Sequence, residues 1–117
     1  MLPENNNIIQ LIDQVQKENL LLKLVQQINK DVNLVGLNFY LSENSTPQNI
    51  ILNLQKLLID LISNNFSDYV NLLYRIDISE KEIVKIQDLE VNALTEKAAI
   101  LILRKEWQKV WFKRKYQ

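Results

Sequence analysis

The chain contains no cysteine and no histidine, and these two absences exclude several kinds of site. Without thiols it can form neither a disulfide framework nor a thiolate metal site. Without imidazole it can form neither a Ser–His–acid or Cys–His nucleophilic system nor a metal site that uses histidine. We therefore predict a protein that is not an enzyme, with no catalytic residues, no cofactor and no metal.

Glycine and proline are also scarce, since the 117 residues include only Gly36, Pro3 and Pro47. Phosphate-binding loops and the tight turns of all-β proteins need glycines where φ must be positive or where the backbone approaches a ligand closely. One glycine cannot supply these positions. With a hydrophobic content of 47%, the chain is predicted to form a single all-α domain over residues 1–117.

Apolar periodicity predicts a compact bundle of four to five helices, three long and two short. The long helices are predicted at about 6–32, 47–63 and 92–114, and the short pair lies between the last two. The middle long helix has the clearest start, for which the sequence offers two alternatives. Either Thr46 caps the helix with Pro47 at the first helical position, or Ser45 and Gln48 form a capping box. The central part of the last helix, 98–103, is apolar on all sides and is predicted to be enclosed by the others.

Residues 35–41 show a different period, because Val35, Leu37, Phe39 and Leu41 alternate with smaller or polar residues. A two-residue period is typical of a half-buried strand. No second strand-like segment is available to pair with it within the chain. We therefore favour an extended connector over an edge strand that pairs with another copy.

The sequence also indicates where the protein resides. Its start has no basic region followed by an apolar run, and the longest apolar stretch near the C-terminus, 98–103, is far shorter than the roughly 20 residues of a membrane-spanning helix. We expect a cytoplasmic protein with no transmembrane segment, although contact with a membrane surface stays open. The abundance of Asn, Lys and Ile suggests a bacterial source.

A carboxylate-only magnesium site is one remaining enzymatic alternative. The acids that gather in the short helical region are Asp77, Glu80, Glu82, Asp88 and Glu90. Only Asp77 and Glu80 have a separation typical of metal ligands, and lysines are interleaved among the acids. This pattern favours a solvated helix face with local ion pairs over a metal cluster.

Tyr74, Arg75 and Asp77 lie together at a predicted helix–helix connection. One interpretation is an anion-binding or acid–base pair. The other is a structural polar anchor, in which Arg75 bonds carbonyls or a carboxylate while Tyr74 fixes the turn. We favour the structural interpretation, because no partner for a chemical role can be identified.

Charge is strongly segregated along the chain. Residues 104–117 carry six basic residues and one acid, a net charge of +5, so residues 1–103 carry 8 basic and 13 acidic residues, a net charge of −5. The candidate contacts for an anion or a nucleic acid are Lys105, Lys109, Lys113, Arg114 and Lys115.

Helical spacing places Lys105, Lys109 and Lys113 on one ridge, opposite an apolar face with Trp107 and Trp111. In one interpretation the cations compensate the helix dipole and the tryptophans are core. In the others the same residues contact a nucleic acid or a membrane surface. The basic end could also meet the acidic body of a second copy.

From these patterns we predict a small non-catalytic interaction or structural protein that acts through protein–protein contacts. A homodimer that buries part of the leucine-rich first helix is the expected assembly. The alternative is a nucleic-acid-associated protein that uses the basic C-terminal helix. A magnesium-dependent enzyme with a carboxylate site ranks third.

Overall fold

The computed structural model describes residues 8–116, and this part of the chain is all-helical, with no strand. Its six helices are α1 (Ile8–Lys17), α2 (Leu21–Leu34), α3 (Pro47–Asn64), α4 (Phe66–Ile76), α5 (Glu80–Ile86) and α6 (Val91–Lys115). The all-α class is confirmed. The predicted count of four to five helices is wrong by at least one, because the first predicted helix is two helices.

The interruption of the first predicted helix lies at Asn19, which has a positive φ of 57°. The Leu20 amide donates to the Val15 carbonyl and the Asn19 amide donates to that of Gln16, both over 3.1 Å. These two bonds form a Schellman motif, which ends a helix with one left-handed residue, most often glycine and sometimes asparagine. The prediction of one helix over 6–32 is therefore wrong in the part that the structure describes.

Helix α6 is the centre of the bundle, since it contacts each of the other five helices. Ala98, Ala99, Ile102 and Leu103 are buried there, and the two alanines leave room for close approach of neighbouring helices. Residues Ile100 and Leu101 are only partly buried, so the predicted enclosed stretch has one partly open side.

The segment 35–41 is a connector that runs along α2. Two asparagine side chains of that helix form the hydrogen bonds that a neighbouring strand would otherwise form with its backbone. The Asn29 side chain donates to the Leu41 carbonyl over 2.9 Å and accepts from the Leu41 amide over 2.7 Å. The Asn33 side chain donates to the Phe39 carbonyl over 3.0 Å. These bonds satisfy backbone groups that an isolated strand would leave unpaired.

Side-chain caps define the starts of α3 and α5. Thr46 Oγ1 accepts from the Asn49 amide with Pro47 at the first helical position, which selects the first of the two predicted starts for α3. Ser79 Oγ accepts from the Glu82 amide over 3.2 Å at the start of α5. Such caps each contribute about 1 kcal/mol.

Within the described residues, no helix has the length and apolar character needed to cross a membrane.

Candidate functional site

The two tryptophans of α6 differ in their surroundings. Trp107 is fully enclosed in the core, whereas Trp111 is partly exposed. Trp111 lies edge-on to Phe112, with 5.4 Å between ring centroids, and Phe112 stacks on Tyr116 at 5.8 Å. The end of α6 therefore carries an aromatic cluster (Trp111, Phe112 and Tyr116), of which Tyr116 is 74% exposed.

The five predicted basic contacts of α6 do not form one surface. Lys109 turns inward, with its Nζ 2.7 Å from Asp31 Oδ2 and 3.0 Å from Glu106 Oε1. Lys109 is therefore part of an internal ion-pair cluster and not of a solvent-facing ridge. Lys105 is partly buried and Lys115 is exposed.

The remaining two predicted contacts each bond a polar side chain of the N-terminal helical region. Lys113 Nζ donates to Gln27 Oε1 over 2.6 Å. Arg114 Nη1 donates to Glu18 Oε1 over 2.9 Å. These bonds hold the basic end of α6 against α2 and the turn before it.

The internal cluster contains two buried carboxyl groups, those of Asp31 on α2 and Glu106 on α6. Burial, followed by the neighbouring Asp31, raises the pKa of Glu106 to about 8. Burial also acts to raise the pKa of Asp31, but hydrogen bonds from Glu106, Lys109 and Gln27 outweigh it and hold that pKa below its ordinary value. At neutral pH Glu106 is therefore protonated and Asp31 is ionised, with Lys109 as its counter-ion.

The predicted trio of Tyr74, Arg75 and Asp77 is not brought together. Arg75 reaches towards Asp31, with its Nε 3.8 Å from Asp31 Oδ1. Tyr74 is 54% exposed. Asp77 has a positive φ of 75° and ends α4 in a second Schellman motif through backbone bonds. Among the partners that residues 8–116 offer, a charged one is found for Arg75 and for neither Tyr74 nor Asp77.

Three acids of the α5 region, Glu80, Glu82 and Glu90, lie at helix starts. Glu80 and Glu82 lie in the first turn of α5, where negative charge is stabilised by the helix dipole. Glu90 caps α6, since its Oε1 accepts from the Ala93 amide over 2.7 Å. Among residues 8–116, no group of three acidic side chains is arranged to hold a metal ion.

A groove of about 620 Å³ lies between α5 and the N-terminal half of α6, and we name it the α5–α6 groove. Its apolar floor consists of Ile86, Leu89, Ile100 and Leu101. Its other lining residues are Ser79, Lys81, Glu82, Lys85, Lys97 and Arg104. The groove exists because α5 is short, buries only Ile86, and packs mainly against α6.

A second groove, of about 410 Å³, lies between α2 and the C-terminal half of α6, and we name it the α2–α6 groove. Its lining residues are Leu20, Lys23, Gln26, Gln27, Lys30, Val110, Lys113 and Arg114. Among the residues that the structure describes, this lining includes four cations and no acid.

The sequence did not mark Asp31, Glu106 or Gln27 as site residues, and it revealed neither groove. A weak signal existed for Glu106, which is the one acid in the basic C-terminal segment and precedes a tryptophan. A weak signal also existed for Asp31, since it is a charged residue next to Val32 on the apolar side of α2. Neither residue indicates its partner, because the partners are far apart in sequence.

Comparison of the chain with models of protein families, with curated proteins and with solved structures gave no match.

Proposed function

We propose that this protein is a non-catalytic interaction protein that binds an amphipathic helix of a partner protein in the α5–α6 groove. The observation that carries the proposal is an apolar floor bordered by cations on both helices. Exposed apolar surface enclosed by a charged rim is characteristic of protein-binding sites.

The shape of the groove favours a helical occupant. The floor is formed by α5, α6 and the turn between them, so a third helix can pack its apolar stripe along it, as in helix-binding grooves. Leu89 is 38% exposed there, so it is available to such a stripe. Val84 and Val91, on the same stretch of chain, are 51% and 43% exposed.

The groove has four lining cations against one lining acid, Glu82, and this excess of positive charge favours an occupant with acidic flanks. Lys81 and Lys85 lie one turn apart on α5, about 6 Å along its axis. On α6, Lys97 and Arg104 are about 10 Å apart along the axis. A helix with glutamates on both sides of a leucine stripe would meet a cation on either rim, and opposite charges orient and accelerate such binding.

A designed peptide tests the proposal. The probe is a fluorescein-labelled amphipathic helix about four turns long, with leucines at i, i+3, i+4 and i+7 and glutamates on both flanks. We expect saturable binding in fluorescence anisotropy. A peptide with lysines on the flanks should bind at least about tenfold more weakly, because like charges then face one another.

Paired variants identify the surface that binds. Leu89→Ser and Lys85→Glu should each weaken binding of the glutamate peptide. The matched controls are Leu52→Ser and Lys56→Glu, at exposed positions on α3. The proposal is wrong if the control variants weaken binding as much as the groove variants, or if the glutamate and lysine peptides bind equally.

Nucleic-acid binding is the second candidate function, and the exposed Phe112–Tyr116 stack favours it. Aromatic rings next to cations provide stacking sites for the bases of single strands. Lys109 is not available to this function, since it is paired with Asp31 and Glu106. Binding of a labelled oligothymidylate that falls steeply with salt and is lost in Tyr116→Ala would support it.

A homodimer remains our expected assembly, and we propose α2 as its interface. Leu22 and Leu34 on that helix are 44% and 56% exposed. Light scattering that gives a monomeric mass across protein concentrations would contradict it. The bacterial origin and the cytoplasmic location stay predictions from the sequence.

A further inference from the structure

We infer that the α2–α6 groove is a binding site for a compact oligophosphate, separate from the helix-binding surface proposed above. The site combines a dense group of cations, a fixed buried amide and an apolar floor. Its volume of about 410 Å³ is within the range of sites for small molecules.

The positive charge of the groove is incompletely neutralised. Within the part of the chain that the structure describes, Lys23, Lys30 and Lys113 form no ion pair, while Arg114 pairs with Glu18. Lys23 and Lys30 lie two turns apart on α2, about 10 Å along its axis. This spacing fits a short chain of linked phosphates. Such a chain carries several negative charges and can bind three ammonium groups at once, whereas a ligand with a single carboxylate cannot.

Gln27 fixes one of these cations in place. Its side chain is buried, and its Nε2 donates to Asp31 Oδ2 over 3.1 Å. This bond orients the amide so that Oε1 accepts from Lys113 Nζ over 2.6 Å. The buried carboxylate of Asp31 thus positions Lys113 in the groove through one intermediate side chain.

The floor of the groove is apolar, formed by Leu20 and by Val110, which is 5% exposed. An apolar surface beneath cations lowers the local dielectric constant and strengthens their attraction for phosphate oxygens. Gln26 adds amide donors at the side. The arrangement favours a compact polyanion over an extended acidic peptide, because an extended peptide would need cations spaced along a longer groove.

The test is isothermal titration of sodium tripolyphosphate into the full chain at fixed ionic strength. We expect saturable binding, and we expect sodium sulfate at the same ionic strength to bind more weakly. The double variant Lys23→Gln/Lys30→Gln should weaken tripolyphosphate binding by at least about tenfold. Both lysines are exposed, so the variant should retain the wild-type circular dichroism spectrum.

The matched control is Lys56→Gln/Lys81→Gln, which removes the same charge from other surfaces and should retain the wild-type affinity. Three results would overturn the inference. These are absence of saturable binding, equal losses in the two double variants, and binding of an oligothymidylate with none of tripolyphosphate. The variant Lys85→Glu, in the other groove, should leave tripolyphosphate binding unchanged, so the two proposals fail separately.

Discussion

The buried carboxyl group of Glu106 should make the stability of this protein fall as the pH rises. Its pKa is about 8 in the folded chain, against an ordinary value of 4.5. The folded chain therefore holds this proton more tightly than the unfolded chain. The resulting stabilisation is complete below about pH 4.5 and is lost as the pH rises through 8.

The structure sets the size of this effect. A difference of one pKa unit corresponds to about 1.4 kcal/mol, so the full shift of Glu106 gives an upper limit of about 5 kcal/mol. The partly exposed Lys109 lets solvent screen the charge on Glu106, which reduces the figure. We expect the free energy of unfolding to fall by about 2–4 kcal/mol between pH 5 and pH 9. No histidine titrates in that interval.

The substitution Glu106→Gln should remove this pH dependence. A glutamine amide is neutral at every pH and can donate to the Asp31 carboxylate as the protonated acid does. Urea unfolding, followed by the fluorescence of the buried Trp107, measures the free energy at each pH. The control is Glu96→Gln, which removes an exposed carboxylate from the same helix and should retain the wild-type profile. Constant wild-type stability over this interval would contradict a proton on Glu106, and so would a Glu106→Gln variant whose stability falls as steeply as that of wild type.

Three further substitutions test other features. Lys109→Met removes the counter-ion of Asp31 and should lower the free energy of unfolding by about 3 kcal/mol, measured by urea unfolding at pH 8. A loss under about 0.5 kcal/mol would contradict a buried ion pair between Lys109 and Asp31. Asn29→Ala removes both bonds to Leu41 and should speed amide exchange at Leu41 in NMR, while Asn53→Ala on α3 should leave it unchanged. Asn19→Val places a β-branched residue at positive φ and should lower stability by about 1–2 kcal/mol, whereas Asn19→Gly should not lower it.

The helices and their starts were predictable because the signals for them are local. The near absence of glycine, the apolar stripe of α3 and the caps at Thr46 and Ser79 each depend on neighbours in sequence. The break at Asn19 was not predictable in the same way. Apolar residues continue on both sides of it, and the left-handed turn of one asparagine differs from a helical turn by only about 1 kcal/mol.

The candidate sites were less predictable, because they are formed by residues distant in sequence. Asp31 and Lys109 are 78 positions apart, and nothing local distinguishes this lysine from Lys105 on the same helix. The two grooves depend on the length and placement of the helices that border them. The segregation of positive charge into the C-terminal segment pointed to one side of the proposed oligophosphate site, and it did not reveal Lys23 or Lys30 on the other side of that groove.

The bonds from Asn29 and Asn33 to the connector have a consequence for solubility. Residues 35–41 have the alternating apolar pattern of an edge strand, which in other proteins recruits strands from neighbouring molecules and starts aggregation. In this fold the amide of Leu41 and the carbonyls of Phe39 and Leu41 are already bonded to α2. The connector is therefore protected only while α2 is formed, and local unfolding of α2 would expose a segment suited to intermolecular β pairing.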